Sequence, residues 1–252
     1  MLTQINEGTS VFDPVLCEIL YNWYCPKNGL ILDCFAGGSV RGIMANYQNM
    51  DYIGCELRKE QVEANRKQYS EMKDREGFDN SCAWICDDSK NILKHCEKDV
   101  KADLLFSCPP YADLEVYSDD PRDISNMDYE TFIEAYRDII NKSCSLLKDD
   151  SFAIFIVGEV RDKKGNYYNF VGDTIKAFTD AGLSYYNEAI LLNAIGTLPL
   201  RTSKIFSSAR KLGKCHQNIL IFCKGNAKKA TEKIGEVNFK EIETESSDVE
   251  LL

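Results

Sequence analysis

The sequence predicts an α/β fold: a doubly wound sheet of seven strands, mostly parallel, with an antiparallel hairpin at one edge. Three observations predict it. Short apolar runs of strand length alternate with amphipathic stretches of helical period through most of the chain. The early apolar runs end in acidic residues or in a glycine or proline turn, as parallel strands do where they open onto a ligand face. The last two runs have no obvious helix between them, so they pair antiparallel at the edge.

Each element has a local cause. Asp13-Pro14 gives a cap and a first-turn proline, and Leu16, Ile19, Leu20 and Trp23 follow at helical spacing. Residues 26–29 (Pro-Lys-Asn-Gly) end that helix. Leu30 to Cys34 is the first buried strand, residues 35–39 form a glycine-containing turn, and the next helix starts at Val40. Asp51 to Glu56 is the second strand, Lys59 to Lys73 a charged helix, and Ala83 to Cys86 the third strand. Asp103 to Phe106 is the fourth strand, followed by a polar loop to Met127 and a long helix from Asp128 to about Leu147. Phe152 to Val157 is the fifth strand, and residues 158–168 form a basic, aromatic loop. Asn169 caps a helix that Gly182 stops. Ser184 to Leu192 and Gln217 to Cys223 are the last strands, joined by a loop of about two dozen residues, longer than most structureless connections.

Residues 1–11 are expected to be an N-terminal arm, 12–225 the single folded domain, and 226–252 an acidic, disordered tail. The chain has 252 residues, and 44% of them are hydrophobic, enough for one large core. No apolar run has the length of a membrane span, and the first residues lack a signal-peptide layout. Eleven cysteines lie scattered, several inside apolar runs, which fits free thiols in a reducing, cytoplasmic setting. With no CxxC and two histidines, no structural zinc is expected. The net charge of −10 argues against a polyanionic partner. Its distribution argues the other way, because Arg201, Lys204, Arg210, Lys211 and Lys214 share one window without an acid. That window is either a solvated loop or a nucleic-acid contact.

The chemistry gathers at the strand ends. Asp33 closes the first strand, and Phe35, Ala36, Gly37 and Gly38 form a turn whose backbone a ligand can approach. The turn is not GxGxxG, so it implies no pyrophosphate cradle. Glu56 ends the second strand, where an acid commonly binds ribose hydroxyls. Asp87 and Asp88 end the third, one to contact a cofactor and the other to cap, with Trp84 as core or as a wall against a purine. A ligand with a ribose, a cationic end and no phosphate meets these demands, and S-adenosylmethionine is such a ligand. After the fourth strand, Ser107-Cys108-Pro109-Pro110-Tyr111 makes a stiff exit, since neither proline can donate to the sheet. It is an ordinary packed turn or a rigid holder for a flat ring.

The residues Asp33-Cys34-Phe35-Ala36-Gly37-Gly38 resemble the D-P-F-[AM]-G-[GS]-G motif of the S-adenosylmethionine-dependent DNA amino-methyltransferases, which modify adenine N6 or cytosine N4. Ser107 to Tyr111 resembles their [DNS]-P-P-[YFW] catalytic motif, and the resemblance covers roughly residues 12–225. It implies a Rossmann-like methyltransferase fold. It also implies a flipped base stacked on Tyr111, an amino group held by acceptors at Ser107 to Pro110, and a cofactor whose methionine end lies near Asp13 and Pro14. Double-stranded DNA is the implied partner. Sequence recognition is expected from the loops, a partner or the N-terminal arm, since no separate large recognition domain is read after the seventh strand, and a homodimer or a partner subunit is a further expected association. Similar short methyltransferases occur in bacteriophages.

Two departures stand out. Cys108 occupies the position usually held by Asp, Asn or Ser, and a thiol is a weak acceptor. The backbone carbonyl or Ser107 would then carry that role, and the target base is left unnamed. Cys34 replaces a proline. A cytosine-C5 mechanism with a catalytic thiolate is disfavoured, because there the cysteine follows the prolines. Methylation of RNA or of a protein glutamine, and a cofactor- or DNA-binding module without activity, are the other functions compatible with the motifs. On this basis Asp33→Ala would abolish cofactor binding and leave the fold largely intact.

Overall fold

The computed structural model describes residues 11–96, 100–111, 117–196 and 198–237, the side chain of residue 201 apart. Most of the proposed arm and the last residues of the tail lie outside these. The chain runs α1 (Pro14–Tyr24), β1 (Leu30–Asp33), α2 (Val40–Tyr47), β2 (Asp51–Glu56), α3 (Lys59–Glu76), β3 (Cys82–Cys86), α4 (Ile92–His95) and β4 (Ala102–Ser107). It continues through α5 (Tyr129–Ser145), β5 (Leu147–Val157), α6 (Phe170–Asp180), β6 (Ser184–Leu192), α7 (Leu198–Ala209), β7 (His216–Lys224) and α8 (Ala227–Ile234).

The seven strands form one sheet in the order β3-β2-β1-β4-β5-β7-β6. β1 to β5 are mutually parallel, and β7 pairs antiparallel with both β5 and β6. The order reverses between β1 and β4. Doubly wound sheets bind ligands at such a point, beyond the carboxyl ends of the strands. The two motif-bearing turns therefore leave adjacent strands on the same edge.

Helices cover both faces. On one, α5 and α6 bury Phe132, Tyr136, Ile140, Phe170 and Phe178 against Phe155 and Phe222. On the other, α1, α2, α3 and α8 bury Leu20, Tyr21, Ala45, Val62 and Ala230 against Tyr52, Phe106 and Ile154. A fully buried Phe or Leu contributes about 1.5–3 kcal/mol relative to exposure. α1 forms as its sequence dictates: the Asp13 carboxylate accepts the Val15 N–H at 2.9 Å, Pro14 sits in the first turn, and Leu16, Cys17, Leu20 and Tyr21 make one buried stripe.

Several expectations are corrected. The long connection after β6 contains α7, a twelve-residue helix. α8 falls inside the segment assigned to the tail and packs on α1 and β5, so the folded unit extends through Ile234. Asn169 stands at the start of α6 with a left-handed backbone and makes no side-chain cap. Glu159 accepts the Phe170 N–H instead, at 3.2 Å. Of the two places left open for Trp84, it takes the core one, 2% exposed against Tyr52 and Tyr69.

All eleven cysteines are free thiols. Burial pushes the Cys17, Cys55 and Cys144 thiols up to about 12, while Cys86 is exposed. The thiolate is the reactive form. Iodoacetamide at pH 8 is therefore expected to alkylate Cys86 and to spare those three until the chain is unfolded. Peptide mass mapping before and after urea checks this; prompt native labelling of Cys17 or Cys144 would contradict the packing. Among the described residues no helix is long and apolar enough to cross a membrane, and no cluster of three or more metal-ligating side chains is present.

Candidate active site

The site is built from the carboxyl ends of β1 to β4. Asp33, at the end of β1, is completely buried. Its Oδ1 accepts the Ser107 hydroxyl at 2.6 Å and the Phe35 N–H at 3.1 Å. Its Oδ2 accepts Arg41 Nε at 2.6 Å and the Tyr52 hydroxyl at 2.8 Å. Arg41, on the first turn of α2, also donates to the Phe35 and Ala36 carbonyls and lies 4.8 Å from the Phe12 ring centroid. Asp33 is therefore the internal anchor of the turn. Its charge is met by Arg41 within the protein.

The turn above it is open. Gly37 has φ +51°, and a side-chain carbon built at Gly37 or Gly38 would meet nothing within 4 Å. The turn is held from behind: Glu56 Oε2 accepts the Gly37 N–H at 3.0 Å, and Asn65 donates to the Gly37 carbonyl at 2.7 Å. Glu56 Oε1 accepts the Arg58 N–H at 2.9 Å. Burial raises the Glu56 carboxyl above the ordinary carboxylate range, with hydrogen bonds from Arg58 and Gly37 opposing the rise.

Asp87 and Asp88 separate into two roles. Asp88 caps the short turn before α4, accepting the Lys90 N–H at 2.9 Å. Asp87 pairs with His95 at 2.6 Å and lies 4.0 Å from Arg122. The His95 hydrogen bond holds its carboxyl below the usual range. A cleft of about 260 Å³ opens here beyond β2 and β3, lined by Leu57, Arg58, Cys86, Asp87, Asp120 and Arg122 among others. Asp13 is exposed, with one oxygen used as the α1 cap.

β4 ends at Ser107, and Pro109 and Pro110 take the chain out of the sheet as expected. Ser107 is fully buried; its hydroxyl donates to Asp33 and accepts the Phe35 N–H at 3.1 Å. It is a strut between the two turns, with its hydroxyl engaged both as donor and as acceptor. Cys108 is half-buried and packs on the α1 side of the sheet. Tyr111 meets the Phe170 ring edge-on at 6.1 Å, and its hydroxyl accepts a hydrogen bond from the Gln217 amide on β7. Burial raises the Tyr111 phenol above its ordinary range, so it stays neutral.

The basic window lies on the same edge, because β7 enters antiparallel and begins beside the end of β5. Lys204 is exposed on α7, while the side chain of Arg201 lies outside the described residues. Arg210 rests 5.1 Å from the Phe206 ring centroid. Lys214 and Arg161 lie 6.0 and 3.7 Å from the Tyr167 ring centroid. Lys211 reaches over Gly165, so α7's trailing segment and the residue 158–168 hairpin form one cationic surface. Arg41, Tyr52, Asn65 and Gln217 were not singled out from the sequence. Of these only Arg41 carried a signal, a lone cation on an otherwise apolar and small-residue helix start.

No protein-family model matches this sequence, and no curated protein matches it. Solved structures do match. TrmN from Thermus thermophilus aligns with a TM-score of 0.54 at 12% identity, covering 84% of this chain and 49% of that one. A putative rRNA-methylase from Clostridium thermocellum aligns at 0.52 and 10% identity, over 84% and 98% of the two chains. A methyltransferase from Pyrococcus furiosus aligns at 0.51 and 14% identity, over 88% and 87%. The chain spans about half the length of TrmN and most of the other two. At these identities the likeness defines the class by fold: this chain has the Rossmann-like methyltransferase fold, with β7 inserted antiparallel between β5 and the edge strand β6.

Proposed function

We propose that this protein is an S-adenosylmethionine-dependent methyltransferase that modifies an exocyclic amino group, adenine N6 or cytosine N4, in double-stranded DNA. The observation that carries the proposal is the Ser107 strut. It ties the Ser107–Tyr111 turn to the Asp33–Gly38 turn through Asp33, which supports a reading in which a base held on one turn would face a cofactor held on the other.

The residues fit the cofactor. The open backbone at Gly37 and Gly38 is a cradle that side chains would fill. Glu56 stands at the strand end suited to ribose hydroxyls, and the cleft beside Asp87 would take the adenine. When bound, S-adenosylmethionine supplies a methyl group on a sulfonium. The chain's part is to hold the nucleophile. An exocyclic amino nitrogen is weak because its lone pair is conjugated with the ring. Tyr111 would stack the flipped base. The carbonyls of Cys108 and Pro109 would accept its N–H groups, since Ser107 is occupied and thiol sulfur accepts weakly. That orientation contributes much of the rate. The cations around Tyr167 and those after α7 would take the phosphates. An RNA substrate is the second reading, favoured by the rRNA-methylase name borne by one similar structure.

The test is transfer of labelled methyl groups to duplex DNA, duplex RNA and protein, with mass analysis of digested nucleosides. Wild type is expected to label DNA, and Tyr111→Ala to lose at least about 100-fold, as expected when orientation is lost. DNA binding is expected to weaken with salt at about −0.9 per phosphate contacted. Labelling of RNA alone would transfer the proposal to the second reading, and tight cofactor binding without transfer to any acceptor would overturn both.

A further inference from the structure

We propose that Gln217 is a positioning residue that fixes the Tyr111 ring for catalysis; this rests on the reading of Tyr111 as the base platform. Gln217 is the second residue of β7, 106 residues away in sequence, and its side-chain amide donates to the Tyr111 hydroxyl.

A stacking platform must be held against two rotations, of the ring's direction and of its plane. Edge-on contact with Phe170, at an interplanar angle of 89°, sets the plane. Phe170 is itself completely buried between Phe132 and Tyr136, so it is a fixed wall. The ring's direction is set at its far end, by the hydroxyl, and Gln217 holds that end. Tyr111 sits on a turn, without a ladder partner of its own, so these side-chain contacts carry the job that secondary structure does elsewhere.

Gln217 is itself well placed to be rigid. It pairs with Leu191 in the β6–β7 register, and just before it the Cys215 carbonyl accepts the Asn193 N–H at 2.8 Å. It also lies three residues after Lys214. The strand that carries the platform's anchor thus begins where the cationic surface ends, which ties the platform to the surface assigned to the DNA backbone. A glutamine suits the role because it can donate to a neutral phenol without placing a charge beside the base.

The test is a double-mutant cycle on methyl transfer with Gln217→Leu, Tyr111→Phe and the pair, with melting temperatures recorded throughout. Gln217→Leu is expected to lower kcat by about tenfold, the worth of one hydrogen bond. KM for DNA should stay within about twofold, since the phosphate contacts are untouched. Tyr111→Phe, which keeps the ring and lacks the hydroxyl, should match it, and the pair should lose no more than either single variant. Gln217→Glu, which can accept a hydrogen bond from the phenol O–H, should recover part of the loss. If Gln217→Leu does not fold, Gln217→Glu and Tyr111→Phe still decide: wild-type kcat in Tyr111→Phe overturns the proposal. Additive losses, or a loss confined to KM, overturn it too while leaving the function standing. A wild type that methylates no nucleic acid removes the function and this proposal together.

Discussion

Asp33→Ala is expected to destabilise the protein by about 3–5 kcal/mol, the usual cost of breaking a buried ion pair from one side. The removed carboxylate accepts four hydrogen bonds, from Arg41, Tyr52, Ser107 and Phe35. Arg41 would be left charged and buried with two backbone carbonyls and the Phe12 ring but no counter-charge. Set against a typical total stability of about 5–15 kcal/mol, such a loss is severe. Urea denaturation followed by circular dichroism measures it. Asp33→Ala combined with Arg41→Ala should cost clearly less than the sum of the single changes, because the stranded charge is then gone. A melting curve for Asp33→Ala identical to wild type would show that Asp33 is not the anchor described here. The expectation from the motif alone was the reverse: loss of cofactor with the fold intact.

That reversal shows what the sequence could and could not reveal. The place of Asp33 was legible, since an acid closing a first parallel strand before a glycine turn leaves few alternatives. Its partners were not. Ser107 lies 74 residues away and Tyr52 on the next strand, and only the β1–β4 and β1–β2 pairings bring them to it. The parallel strands were legible from their apolar runs because both faces of the sheet are covered. α7 was not, for the opposite reason: Leu200, Ile205 and Phe206 are exposed, so no buried stripe imposes a helical period, and Pro199 reads as loop unless taken as a first-turn residue. α8 was hidden by the acidic residues after it. Its signals were Asn226, whose side chain accepts the Lys229 N–H at 3.1 Å, and the Ala230–Ile234 pair one turn apart.

Gly38→Leu is expected to do what Asp33→Ala does not: weaken cofactor binding and leave the fold alone. Gly38 lacks the left-handed backbone of Gly37, and a Cβ placed there meets no atom of the protein within 4 Å. Its effect on stability should therefore stay within about 0.5 kcal/mol, as for an open surface position. The space it fills is the space over the turn. A leucine wedged between that turn and a ligand costs about 1–3 kcal/mol by overpacking, or about 5- to 150-fold in Kd. Gly37→Leu should lose both affinity and stability, because φ +51° strains any residue with a Cβ. Isothermal titration with S-adenosylmethionine and with its demethylated product, beside urea melts of both variants, separates the cases. Unchanged affinity in Gly38→Leu would place the cofactor elsewhere. It would also leave the Ser107 strut joining two turns with nothing between them to react, so the assignment of the whole cleft turns on this one open glycine.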